Sequence, residues 1–194
     1  MQKRHTDRES YFDEQSQTSK NYYIPYIKEV IGHIPDKVLE VGCGEGGNLL
    51  PFAKAGCRVM GVDIDAMRIE QARAFFAQRH QQGQFIATDI FQLEDKATNF
   101  PLILLHDVIE HIDDKAGFLK GLKRYLAPGG VVFIAFPAWQ MPFGGHQQIA
   151  CSWVVSHLPF VHLLPELAFC LMLRLFGEDA SKINELIGIR RTRC

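Results

Sequence analysis

The chain lacks the marks of several functional classes. No two of its five cysteines form a C-x-x-C pair. Cys43, Cys57, Cys151, Cys170 and Cys194 are scattered and odd in number, which reads as reduced intracellular thiols. No charge of either sign dominates: the net charge of −1 leaves no electrostatic case for nucleic acid as a partner. The polar start Met1-Gln-Lys-Arg-His-Thr-Asp has none of the apolar core of a secretory signal, so a cytoplasmic location is expected. No Gly-Lys-Ser/Thr of a Walker loop is present, and no Ser-His-Asp signature. What is there is ordinary for a globular protein: 194 residues, 47% apolar, enough for one domain with a substantial core.

The informative stretch runs from Lys37 to Asp65. Val38, Leu39 and Val41 predict a short strand. It breaks into Gly42, Gly44, Gly46 and Gly47, and a helix-compatible segment, Asn48 to Lys54, follows. A second apolar run, Arg58-Val-Met-Gly-Val, ends at Asp63. Glycines at such a loop let a ligand approach with no Cβ in the way. An acid at the next strand tip, about twenty positions on, can accept hydrogen bonds from ribose hydroxyls. Asp65 suits the N-cap of the next helix, Ala66 to His80, which leaves Asp63 as the ribose ligand; the reverse assignment is the alternative.

Gly42, Gly44 and Gly47 fall at the spacing of the dinucleotide fingerprint G-x-G-x-x-G, but Glu40 precedes the first glycine and Gly46 adds a further one, giving the pattern Glu40-x-Gly42-Cys43-Gly44-Glu45-Gly46. It resembles the first motif of class I S-adenosylmethionine-dependent methyltransferases, E/D-x-G-x-G-x-G, position by position. A carboxylate at Glu40 suits a sulfonium cofactor bearing an ammonium group better than an anionic pyrophosphate. Three later segments carry the resemblance further. Asp89-Ile90 follows a third strand, Gln84-Phe-Ile-Ala-Thr; Asp107-Val-Ile-Glu110-His111 follows the near-continuous apolar run Phe100 to His106; and Leu126-Ala-Pro-Gly-Gly130 precedes a fifth strand, Val131 to Phe136. The resemblance spans about Tyr22 to Phe136.

It implies a Rossmann-like α/β fold with a doubly wound, mostly parallel sheet in the order 3-2-1-4-5. The ligand should lie beyond the carboxyl ends of the strands, where the order reverses. The cofactor implied is S-adenosylmethionine, with S-adenosylhomocysteine as product. The cofactor-binding residues implied are Glu40, Gly42, Cys43, Gly44, Asp63, Ile64, Asp89, Ile90 and His106. Asp89 would accept from the adenine amino group with Ile90 on the ring, unless Asp89 only caps the segment that follows. His106 would line the methionine end.

Three regions are expected. Residues 1–20 are a polar tail interrupted by Tyr11 and Phe12, which is either loosely docked or, as the resemblance implies, a lid over the cofactor. Residues 21–136 form the cofactor domain, opened by a helix that carries Tyr22, Tyr23, Tyr26, Ile27, Val30 and Ile31 and ends at Gly32 and Pro35. Residues 137–194 form an apolar, substrate-side segment with an incomplete C-terminus. Gly145-His146 resembles a pair that borders the acceptor pocket in related small-molecule enzymes. His146 is therefore the catalytic candidate, as a general base or else a loop histidine.

The apolar run from Trp153 to Phe176 approaches the length of a membrane span, but Pro159, Pro165, His157, His162, Glu166 and Arg174 argue against one. It reads as a cap over the site, a helix on the sheet, or a surface for a lipid-like acceptor. The family's closing antiparallel strand pair is not found. Either the chain is a truncated piece, or that edge is missing or supplied by a neighbour, and an exposed fifth strand favours a homo-oligomer.

The function expected is methyl transfer to a small or lipid-like acceptor, which needs positioning in a dry site rather than a protein nucleophile. The alternatives are a metal-assisted O-methyltransferase using Asp107, Glu110, His111 and His146, and a cofactor-binding domain without turnover. Metal-free relatives also carry the Glu-His pair, so no metal ligand is assigned.

Overall fold

The computed structural model describes residues 7–93, 98–143 and 147–193. These divide into two compact units, Asp7–Phe136 and the segment from Pro137 onward.

The first unit is built on five strands: β1 (Lys37–Val41), β2 (Arg58–Asp63), β3 (Gln84–Ala87), β4 (Phe100–His106) and β5 (Leu126–Ala135). All pairings are parallel and the order is β3-β2-β1-β4-β5, the expected 3-2-1-4-5 arrangement. Strand alternation sorts the side chains between two cores. Val38, Val59, Leu102 and Leu104 join one face; Leu39, Val41, Met60, Val62, Ile103 and Leu105 join the other. Leu39, Leu102 and Ile103 are wholly buried, each worth about 1.5–3 kcal/mol of transfer free energy.

The polar stretch expected as a tail is helical instead. Helix α1 (Arg8–Thr18) starts at Asp7, whose carboxylate accepts from the Ser10 N–H. Composition missed it because a single apolar residue seats it. The Phe12 ring is fully buried and lies 5.0 Å from the Phe75 ring. The Arg79 guanidinium stacks 4.5 Å from the Phe12 ring centre and pairs with Glu9 and Asp13 at 3.3 and 2.7 Å. A π-helical turn, Ser19–Tyr23, joins α1 to α2 (Ile24–Ile31). As expected, α2 ends at Gly32, whose φ of 86° is the left-handed conformation of a glycine stop.

Helices α3 (Leu50–Lys54) and α4 (Ala66–Gln78) connect β1 to β2 and β2 to β3. Asp65 caps α4, accepting from the N–H groups of Met67 and Arg68. Helix α5 (Lys115–Leu122) precedes β5. The Leu-x-Pro-Gly-Gly turn expected before the fifth strand lies inside it as an excursion. Phe100 pairs with Leu126, then Leu102 pairs with Val131, so residues 127–130 loop out of register.

In the second unit the apolar run is broken into α6 (Trp153–His157), a 3-10 turn (Val161–Leu163) and α7 (Glu166–Leu175), followed by α8 (Ala180–Arg193). Val155, Val161, Phe169, Leu173, Ile183 and Leu186 form its own core. Among the described residues no strand follows β5, and no helix is long and apolar enough to cross a membrane.

The Glu178 carboxylate, 7% exposed, anchors the start of α6, accepting from Cys151 N–H at 3.1 Å and Ser152 N–H at 2.6 Å. Replacing it removes two charge-assisted bonds. Glu178→Ala is expected to lower stability by about 1.5–3 kcal/mol, measured as a reduced urea midpoint against the parent chain.

Candidate cofactor site

The site begins where β1 runs out. The N–H groups of Gly42 and Cys43 both donate to Val62 O, at 2.7 and 3.1 Å, tying the loop to β2. One residue on, Gly44 N–H donates to Asp63 Oδ2 at 2.8 Å, and Asp65 N–H donates to Asp63 Oδ1 at 2.9 Å. Thr88 N–H donates to Asp63 O at 2.9 Å, bringing in the end of β3. Three strand ends thus converge on the Asp63 backbone and side chain.

The glycines serve different purposes. A Cβ at Gly42 would lie 2.4 Å from Val108 Cγ2, and one at Gly47 would lie 2.6 Å from Phe12 O. Those two are required by packing. Gly44 has a φ of 51° and no neighbour within 3.8 Å of where a Cβ would stand. Its conformation favours glycine, and the atoms nearest to where a Cβ would stand belong to the flexible Arg68 side chain.

Period-two alternation puts Glu40 on the face of Val38, under the loop, with the carboxylate 1% exposed. Asn48 Nδ2 donates to Glu40 Oε1 at 2.8 Å; the second oxygen, Oε2, is buried with no hydrogen-bond partner. Burial pushes the Glu40 pKa up to about 8; the Asn48 amide works against that and the Asp63 charge adds to it. Such a group is short of a cation.

His106 ends β4 on the same face, and the Tyr23 ring lies 5.9 Å from its ring and 4.9 Å from Phe133. Burial, then the charges of Asp107 and Glu40, push the Tyr23 hydroxyl to about 12, so it stays a neutral donor in an acidic setting.

Of the expected residues, Glu40, Gly42, Gly44, Asp63 and His106 gather at the β1, β2 and β4 ends. Ile64 stands beside Asp63 with 83% of its surface exposed, an apolar side chain with no protein cover. Three expectations need revision at the level of the side chain. The Cys43 side chain is 1% exposed in the core, its thiol pushed well up by burial. Only its backbone can face a ligand, and its N–H is already bonded. Ile90 is 5% exposed in the other core, with Tyr125 OH donating to its carbonyl, so its side chain is not available to stack on a ring. Asp89 does cap the 3-10 turn Ile90–Gln92, accepting from Phe91 N–H at 2.8 Å, though its side chain stays exposed. His146 lies outside the described residues.

Tyr23, Glu45 and Asp107 belong with this cluster, although the sequence places Tyr23 only in the apolar pattern of the first helix, Glu45 at a spacer position of the glycine motif and Asp107 only in the fourth motif and among metal-ligand alternatives. Tyr23 is hidden among apolar neighbours of α2. Glu45 looks like a solvated loop acid, yet is 1% exposed. Asp107 has a φ of 54°, unusual for a residue other than glycine and typical of functional positions.

Among the described residues no three His, Cys, Asp or Glu side chains are grouped to hold a metal ion. One cavity, of about 940 Å³, is lined by residues that include Lys37, Arg58, Met60, Gln84 and Phe100. It shares no residue with the cluster and reaches the strand beginnings, whereas ligands of such sheets sit at the carboxyl ends.

The sequence pattern of the family described as "Methyltransferase domain" matches residues 8–177. The chain belongs to that family. It is a class I S-adenosylmethionine-dependent methyltransferase domain, as its sheet order also has it. It is 31% identical over 123 residues to the ubiquinone biosynthesis O-methyltransferase of Brucella ovis, covering 63% of this chain and 50% of that one. A protein of Pyrococcus horikoshii is similar in structure, with TM-score 0.54 and 26% identity over 62% of this chain and 56% of that one. A Clostridium acetobutylicum S-adenosylmethionine-dependent methyltransferase shares the fold at TM-score 0.55 and 20% identity, over 63% and 51% of the two chains. The methyltransferase domain spans about half the length of the curated relatives it matches.

The contact between α1 and the loop is testable. Gly47→Ala forces a methyl against Phe12 O and the Gln15 side chain. A loss of about 1–3 kcal/mol is expected from overpacking, read as a lower thermal midpoint.

Proposed function

We propose that this methyltransferase domain binds S-adenosylmethionine at the β1–β2–β4 ends and transfers its methyl group to a small acceptor. The observation that carries this reading is the buried Glu40 oxygen without a partner, set under the glycine loop that ends β1. In this reading Glu40 pairs with the ammonium of the donor, and Gly42 and Gly44 let the backbone approach it. Asp63 takes the ribose hydroxyls with the lone pairs left after its two backbone bonds. Ile64 supplies apolar cover to the adenine. Asp89 accepts from the exocyclic amine, and Ile90 contributes through its backbone rather than its side chain. His106 and Tyr23 line the methionine end.

The donor supplies a methyl already activated by positive sulfur, so the protein's part is binding, alignment and exclusion of water. His146 is proposed to hold or accept the acceptor's proton. The relatives' name, ubiquinone biosynthesis O-methyltransferase, favours a hydroxyl-bearing acceptor with an apolar body. The exposed Leu167, Leu171 and Leu175 on α7 support the apolar half of that description.

The direct test is mass spectrometry of acceptor panels incubated with the chain and S-adenosylmethionine, with calorimetry of S-adenosylhomocysteine alongside. Binding with no methylated product from any hydroxyl, amine or thiol acceptor would leave a binding domain without turnover. Asp63→Ala is expected to weaken S-adenosylhomocysteine binding about ten- to hundred-fold. Asp65→Ala should instead cost a helix cap, about 1 kcal/mol of stability, at unchanged affinity. The opposite pattern would exchange the two assignments.

Glu40 sets a pH dependence. Its pKa rises from an ordinary 4.5 to about 8 in the fold, so between those values the folded chain holds one proton more than the unfolded chain. That contribution to stability is fully present below 4.5 and is lost as pH rises through 8. Pairing with an ammonium requires the carboxylate and expels the proton. Affinity for S-adenosylhomocysteine should therefore rise with pH, by up to about tenfold per unit, and level off near pH 8. Calorimetry in buffers of different ionisation enthalpy should report about one proton released per ligand near pH 7, and none in Glu40→Gln.

A further inference from the structure

The glycine loop carries a second buried acid that the reading above does not use. Glu45 is 1% exposed, and neither of its carboxylate oxygens has a hydrogen-bond partner. Two cations approach it from different elements: Arg8 Nη1 of α1 at 3.2 Å, and Arg68 Nε of α4 at 4.0 Å. Arg68 also reaches Asp65 Oδ2 at 3.6 Å. A second attachment joins the same helical arm to the same loop. Ser19 Oγ donates to Asn48 O at 2.8 Å, and Asn48 in turn holds Glu40. Between the two attachments the Gly47 backbone lies flush against Phe12 and Gln15.

We propose that Glu45 is a positioning residue for donor binding: paired with Arg8, it makes the docking of α1 a condition for the donor-holding shape of the glycine loop. The proposal rests on the methyltransferase reading and extends it to residues that touch no donor atom. The physical argument is that an uncompensated carboxylate is costly to bury. With Arg8 undocked, Glu45 keeps only the longer contact to Arg68 and turns toward water. Gly44 and Gly46 flank Glu45, so that turn moves the N–H that Asp63 holds. By linkage, anything that stabilises the loop conformation must stabilise the docked helix equally.

The test uses the full chain, S-adenosylhomocysteine, calorimetry and amide hydrogen exchange. In the parent, ligand should increase exchange protection across residues 8–18. Arg8→Ala, at a side chain partly open to solvent, should bind on the order of 5- to 30-fold more weakly and lose the ligand-induced protection. Arg8→Lys should recover part of both, because a point charge can still reach the carboxylate. Glu45→Gln should match Arg8→Ala, and the double variant should be no worse than either single one. A purely structural pair would lower the thermal midpoint of both variants and leave affinity within twofold of the parent, with protection of residues 8–18 indifferent to ligand. That result overturns the proposal while the methyltransferase reading stands. A parent chain that does not bind S-adenosylhomocysteine overturns both.

Discussion

The bond from Gly44 N–H to the Asp63 carboxylate is the constraint on which the rest of the site depends. A loop with several glycines has many conformations, and the entropy of fixing it must be offset by specific contacts. Here the contacts come from the neighbouring strand: Val62 O takes two N–H groups and Asp63 takes the third. One residue spends one oxygen on Gly44 and the other on Asp65, so it fixes the loop and the start of α4 together. The Asp63 carboxylate is thereby pre-oriented, because it cannot rotate without breaking both bonds.

Most of that arrangement is legible in the residues, because it follows from short-range rules. Apolar runs of strand length, a glycine cluster, an acid at a strand tip and an N-cap at Asp65 are each local. Their order along the chain is enough for a doubly wound sheet. What is not legible depends on partners distant in sequence. Helix α1 is polar nearly throughout, and its place is set by one ring, Phe12, meeting Phe75 and Arg79 more than sixty residues away. Cys43 and Ile90 sit at motif positions, yet which way each side chain points is decided by the packing around it: Cys43 lies against Gly61, Ile90 against the Tyr125 layer. The excursion in β5 is similar. Pro128 and the two glycines after it signal a turn correctly, but strand pairing resumes on both sides of it.

The two units also differ in how they bury polar groups. In the first, the two buried glutamates of the glycine loop region meet side-chain cations or an amide, Glu45 with arginines and Glu40 with Asn48, while Asp63 takes backbone N–H groups. In the second the buried polar side chains meet backbone. Glu178 takes two N–H groups at the start of α6, and Gln147 Nε2 donates to Pro142 O at 3.0 Å. His162 Nε2 stands 2.6 Å from Trp139 O. Those contacts pin the segment that follows β5 to the turns before α7, giving irregular chain a defined course without a strand.

The distribution of charge explains why the loop suits a cationic ligand although its glycines resemble those of dinucleotide sites. A pyrophosphate site depends on unpaired loop and helix N–H groups presented to an anion. In this chain the N–H groups of Gly42, Cys43 and Gly44 are already taken by Val62 and Asp63, and Gly46 N–H donates to Cys43 O at 2.8 Å. What stands at these strand ends is acidic: Glu40 on β1, Asp63 on β2 and Asp107 just after β4. An anion would meet acidic side chains and few free donors, whereas an ammonium would satisfy the one oxygen of Glu40 that the protein leaves unbonded. In a chain whose total charge is only −1, this local clustering selects between the two nucleotide classes where net charge cannot.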